Sequence, residues 1–219
     1  MPTRMRFLPG LIIATLATLA GCETRPPEPT STQVTSPATE PGPSTTAAVA
    51  HAASTATPKS SCVKPTPDKP VREVKGPVPD PNCPEDDWPK FELPLGTVHF
   101  PEVKDGDHAL EVAVEIAEKG KEREKGLMFR KNMREDAGML FIFEEQRDLA
   151  FWMENTCIPL DMIFIDRDGT IVGIEENTPT LSRDTFDPGC PAKYVLEVNA
   201  GWARRHGVRA GMTMTLPRS

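Results

Sequence analysis

Between residue 23 and about residue 90 the chain is dominated by Pro, Thr, Ser and Ala and carries very few large apolar side chains. Such a stretch cannot bury enough surface to offset its ordering entropy, so any hydrophobic core must be built from residues beyond the compositional change near Phe91. Three regions result: a leader over residues 1–21, a disordered tether over residues 22–92, and a folded domain over residues 93–219. As a flexible coil ~70 residues span ~45 Å root-mean-square, and the prolines extend the tether further. No internal repeat is present.

The leader has the order of a bacterial lipoprotein signal. Arg4 and Arg6 precede an apolar stretch over residues 7–20, and Leu19, Ala20 and Gly21 run directly into Cys22. The stretch is shorter than the roughly 20 residues that span a bilayer, and small residues crowd the cut site. A plain secretory peptide would end on a small-x-small pair, and nothing after Cys22 extends an uncleaved anchor. The expectation is therefore cleavage before Cys22 and diacylglyceryl on its thiol. Two chains, at ~0.8 kcal/mol per buried CH₂, suffice for stable attachment to a membrane. This address is the bacterial cell envelope, periplasm-facing or surface-exposed. Cleavage also removes Arg4 and Arg6, moving the formal charge from −7 to −9. An acidic chain lacks the Lys and Arg footprint that phosphate neutralisation requires, which argues against a nucleic-acid partner.

With Cys22 assigned to lipid, Cys62, Cys83, Cys157 and Cys190 remain, an even set suited to structural bridges in an oxidising compartment. Three pairings are possible. Cys62 with Cys83 and Cys157 with Cys190 are favoured, because each pair stays within one compositional region. No Cys-x-x-Cys occurs, which argues against redox and zinc-ribbon motifs.

In the domain, residues 108–117 alternate, with Leu110, Val112, Val114 and Ile116 on one face and Glu111 and Glu115 on the other. A charged helical turn over residues 118–125 is stopped by Gly126. Strands are expected at 139–143, 149–153, 161–166, 170–175, 193–198 and 212–216, with an Asp168-Gly169 hairpin turn and a short helix at 201–206. Absent βαβ alternation, the predicted fold is mainly β, a compact antiparallel sandwich or barrel-like domain with two short helices.

Four blocks carry a family resemblance. Gly126-Leu127-Met128-Phe129-Arg130, Gly138-Met139-Leu140-Phe141, Phe151-Trp152-Met153-Glu154-Asn155-Thr156 with Pro159-Leu160-Asp161, and Tyr194-Val195-Leu196-Glu197-Val198-Asn199-Ala200-Gly201 resemble the signature of domain-of-unknown-function family 192. The resemblance covers residues 110–216 and excludes leader and tether. It implies a compact, mainly β fold common among exported bacterial proteins, and no known activity. Cys157 and Cys190 depart from the family pattern and look like an added staple.

Within these blocks, Arg130 offers a five-donor fork suited to a carboxylate or phosphate, unless it is held internally by Asp161 or Glu197. Trp152 and Met153 point to opposite faces, so one enters the core and the other is free to serve as a platform for a sugar ring. Asn155 and Thr156 suit turn hydrogen bonds, and Asp161 either caps that turn or faces a cleft. No Gly-x-Ser-x-Gly elbow is present, and His51, His99, His108 and His206 are isolated. Glu154, Asp161 and Glu197 supply the carboxylates for an acid–base pair on a glycoside if two stand ~5–9.5 Å apart. Asp166-x-Asp168-Gly169 reads as a hairpin rather than a calcium loop, and the methionines read as core filler rather than copper ligands.

The sequence thus calls for no catalytic residue, metal or cofactor. Its leading reading is a lipid-anchored, non-enzymatic binding module for an envelope glycan or anionic ligand, with Arg130, Trp152, Asn155, Asp161 and Glu197 as binding residues. The alternatives are an envelope hydrolase using paired carboxylates, and a structural or assembly protein with protein partners.

Overall fold

A computed structural model describes residues 62–217. Cys22, the leader and residues 22–61 of the expected tether lie outside the described residues. The elements are β1 (Leu95–Asp105), β2 (His108–Ala117), α1 (Gly120–Lys125), β3 (Ala137–Arg147), β4 (Leu160–Ile165), β5 (Ile171–Thr178), β6 (Ala192–Asn199) and α2 (Trp202–Arg205). They form one six-stranded sheet in the order β1-β2-β3-β6-β4-β5. The fold is mainly β, as predicted, but the sheet is mixed and does not close.

All neighbouring pairs are antiparallel except β2 and β3, which run parallel and are joined through α1. This crossover corrects the expectation of a sheet without parallel strands. A six-residue helix is too short to show a helical period, so its βαβ character is invisible in the pattern. The pattern also hides strand β1. Only Val98 and Phe100 of it are fully buried, and Pro101 sits where the pairing with β2 slips, as proline can on an edge strand. Conversely, residues 149–153 and 212–216 form single bridges rather than strands: Phe151 with Phe186, Thr213 with Thr170 and Thr215 with His99. Their apolar residues cover the core without entering a ladder.

Side-chain alternation sends β6 to two cores. Tyr194, Leu196 and Val198 join β1, β2 and α2, where Trp202 is 1% exposed. Val195 faces the other side with Leu127, Met139, Phe141, Met153, Met162 and Phe164. At ~25 cal/mol per Å² of apolar surface removed from water, each of these large side chains contributes roughly 1.5–3 kcal/mol.

Residues 62–92 require a correction. Rather than closing a tether, they lie along the domain as a strap. The disulfides join Cys62 to Cys190 and Cys83 to Cys157, not the locally favoured pairs. Between them the Lys64 N–H donates to the Val172 carbonyl at 2.8 Å and the Asp80 N–H to the Cys157 carbonyl at 2.8 Å. Lys64 and Arg72 both pair with Glu175, at 2.7 and 2.5 Å, and the Asn177 amide donates to the Arg72 carbonyl at 2.7 Å. Composition measures apolar burial, and this segment is fixed by covalent and polar links instead.

Candidate functional site

Gly126 ends α1 with φ 48°, and a side chain there would meet the Phe141 ring at 3.1 Å. The chain then turns Leu127 and Met128 inward. Phe129 follows at φ 64° and donates its N–H to the carbonyl of Asn155, itself at φ 58°, over 2.7 Å. Two left-handed residues thus brace each other, a local strain of the kind found where a backbone shapes a site. The same braced turn keeps Met153 at 0% exposure and leaves Trp152 at 50%. This matches the expected division of that pair between core and surface.

Between these two segments lies a pocket of about 300 Å³, a size at the lower end for small-ligand sites. Its walls are Leu127, Met128, Phe141, Phe143, Phe151 and Trp152, with Thr156 and Glu197 contributing polar groups and α1 contributing Arg123, Glu124 and Lys125. Phe151 is held edge-on to Phe141 at 5.0 Å and to Phe164 at 6.0 Å, so this wall is rigid. The α1 cations are already engaged. Arg123 donates to the Glu118 carbonyl and to the Ile142 carbonyl at 3.0 Å and lies over the Phe143 ring at 4.9 Å. Lys125 pairs with Asp86 of the strap at 3.0 Å.

Glu197 is the exceptional group. In register across the sheet it stands between Met139 of β3 and Met162 of β4; beyond them stand Glu115 of β2 and Glu175 of β5. Arg130 grips Glu115 with two bonds of 2.7 and 2.9 Å, and Lys64 and Arg72 neutralise Glu175. The central carboxyl of this row, 4% exposed, receives no hydrogen bond or ion pair from the described residues. Burial beside two methionines pushes it up to about 8, and the more distant charge of Arg130 opposes that shift without cancelling it.

The five predicted site residues are therefore divided. Trp152 and Glu197 share the pocket, and Asn155 shapes its wall through the backbone. Arg130 lines a neighbouring hollow and is paired with Glu115, rather than with Asp161 or Glu197. Asp161 is at 0% exposure and lies elsewhere, accepting the N–H groups of Asn177, Gly201 and Ala203 at 2.9, 2.9 and 3.0 Å. Burial raises its carboxyl above the ordinary range despite those three donors. Glu154 pairs with Arg183 at 2.9 Å. Two of the three carboxylates considered for hydrolysis are thus engaged structurally. Sequence reasoning missed Phe141, Phe151 and Thr156 as pocket residues, although each lies inside a signature block; Arg123, Lys125 and Phe143 had no motif to mark them.

The family model of DUF192, described as an uncharacterized ACR, matches residues 102–216. A crystal structure from Sinorhizobium meliloti 1021, described as a "putative transcription regulator", is similar at TM-score 0.54 and 39% identity, over 58% of this chain and 97% of that one. A protein of unknown function from Novosphingobium aromaticivorans DSM 12444 is similar at TM-score 0.52 and 31% identity, over 57% of this chain and 86% of that one. No curated protein matches the chain. With its family model spanning more than half of the sequence, and all four signature blocks lining one pocket, the chain belongs to the DUF192 family.

Proposed function

We propose that this is a lipid-anchored envelope protein whose domain binds a glycan ring in the pocket between α1 and the Phe151–Thr156 segment, without turnover. One observation carries the reading. The blocks at 126–130, 138–141, 151–156 and 194–201 all place residues on a largely apolar cavity that pairs a half-exposed indole with a single unpartnered carboxyl. A flat aromatic surface takes the apolar face of a sugar, and one polar group fixes its orientation. The anionic-ligand version is weaker, because Arg130 is already bidentate to Glu115.

The location rests on the disulfides. Two disulfides fit an oxidising compartment outside the cytoplasm, and no helix among the described residues is long and apolar enough to cross a membrane. Lipid on Cys22 would provide the attachment. The regulator description of the S. meliloti protein is not carried over, since an acidic chain offers no phosphate footprint.

Calorimetry of the full-length, disulfide-bonded chain against soluble peptidoglycan fragments and neutral oligosaccharides tests the binding. The expected result is heat with at least one glycan that Trp152→Ala abolishes; no heat across the panel overturns the reading. Labelling with a radioactive fatty acid tests the anchor. Cys22→Ser should remove both the label and the membrane association.

A further inference from the structure

We infer that the pocket selects a glycan bearing an acylamino group, as an N-acetylated hexosamine does, with the Glu197 carboxyl donating its proton to the amide carbonyl and the apolar wall taking the acyl methyl. This rests on the ring-stacking reading above and adds to it the ligand's chemical class and a dependence on pH.

The geometry supplies each part. An unpartnered carboxyl buried against Met139 and Met162 is costly as an ion and favourable as a neutral acid, which makes it a hydrogen-bond donor. Among the described residues no cation pairs with it; the nearest influence is the more distant charge of Arg130, which is committed to Glu115 and offsets the burial only in part. From β2 comes Glu115, already neutralised by Arg130; β3 brings Met139 and Phe141 and β4 brings Met162. From α1 come Arg123, Lys125 and Glu124, the last held by Lys121 at 2.9 Å. A ligand ammonium would need Glu197 ionised and would approach two cations on the pocket lining. A neutral carbonyl needs neither change. Leu127, Met128 and Phe141 offer apolar contact suited to a methyl, while Trp152 offers the stacking face. Ring, carbonyl and methyl occur together in an acetamido sugar and not in a plain hexose.

The carboxyl's elevation to about 8 gives the inference its sign. Below that pH the donor is present; above it the proton is lost, and a carboxylate faces the carbonyl oxygen. Affinity should be flat to about pH 7 and fall about tenfold by pH 9, where roughly one carboxyl in ten stays protonated.

The test is calorimetry on the full-length, disulfide-bonded chain with three oligosaccharides of equal length: N-acetylglucosamine, glucosamine and glucose, at pH 6, 7 and 9. The acetylated oligomer should bind at least tenfold more tightly than the other two and lose about tenfold from pH 6 to 9. Glu197→Gln, whose amide still donates, should keep binding within about threefold of the pH 6 value and lose the pH dependence. Glu197→Leu should lose more than tenfold while melting at or above the wild-type temperature. Equal binding of acetylated and plain oligomers with loss in Trp152→Ala overturns the acylamino inference and leaves the ring-stacking reading standing. Tighter binding of the amine, or affinity that rises with pH, also overturns the inference. No binding of any oligomer overturns both.

Discussion

Asp161 and Glu197 are both buried carboxyls on adjacent central strands, 0% and 4% exposed, and in sequence both look like members of one polar cluster. Their environments are opposite. Asp161 is saturated by three backbone N–H groups, joining the start of β4 to the end of β5 and to the start of α2. Glu197 has two methionines as strand neighbours and no donor among the described residues. A buried polar group with every bond made stabilises a fold, whereas one left open inside a cavity destabilises it. The Asp161 corner is thus a structural joint, and the Glu197 pocket is a place where stability is given up to leave a group available.

The largest break in that comparison is Asp161→Ala. It strands three backbone N–H groups, that of Ala203 buried and those of Asn177 and Gly201 partly so; at about 1–3 kcal/mol for each the total is roughly 3–9 kcal/mol. Urea denaturation should show a domain that is barely folded at room temperature. A loss under 1 kcal/mol would mean that water or local rearrangement replaces the carboxylate.

Next comes the strap, which supports the two regions unequally. Cys83–Cys157 pins the segment just beyond the Phe129–Asn155 brace covalently, while the strap meets the elements of the Asp161 corner through hydrogen bonds: Asn177 to the Arg72 carbonyl, Arg72 to the Glu176 carbonyl, and Arg204 to the Pro67 and Asp68 carbonyls. Replacing both cysteines with Ser should cost about 2–4 kcal/mol. Hydrogen exchange should accelerate most at Phe129 and Thr156 and least at Ala203. Uniform acceleration would erase the distinction. Non-reducing peptide mapping should recover Cys62 with Cys190 and Cys83 with Cys157.

Glu197→Gln acts in the other direction. Its native carboxyl sits at about 8 against an ordinary value of 4.5, so between these the unfolded chain ionises while the native state keeps its proton. The unfolded state then binds fewer protons, and stability falls as pH rises through that window. Gln removes this penalty. The variant should match wild type near pH 4 and exceed it increasingly up to pH 8, by on the order of 3 kcal/mol at pH 7. Melts of both proteins across that range would show parallel curves if Glu197 were satisfied in the native state.

Legibility followed the kind of force involved. The 108–117 alternation matched a strand because β2 is half-buried, and Asp168-Gly169 marked its hairpin because Gly169 needs φ 86° and the Asp166 carboxylate caps the turn through the N–H groups of Asp168 and Thr170. The strap was illegible because nothing in a Pro-rich composition reports disulfide partners 128 and 74 residues away. The site was half legible. Trp152 stood out by its polar company, but the roles of Asp161 and Glu197 depend on which backbone groups come near them, and only the sheet's order decides that. Arg130 belongs to the same class, since its partner Glu115 becomes a neighbour through the parallel pairing of β2 with β3, a step the sequence pattern hides.

The smallest effect on stability is the most telling about function. Trp152→Ala removes a side chain that is half exposed and makes no ring contact among the described residues, so folding should change by less than about 0.5 kcal/mol. A tryptophan that contributes so little to the fold, beside a carboxyl that opposes it, is hard to explain by packing. If Trp152→Ala melts with wild type, the pocket side of the comparison is built for something outside the chain. If it costs 2 kcal/mol or more, the indole is part of the core after all, and Glu197 alone would have to carry the case for a site.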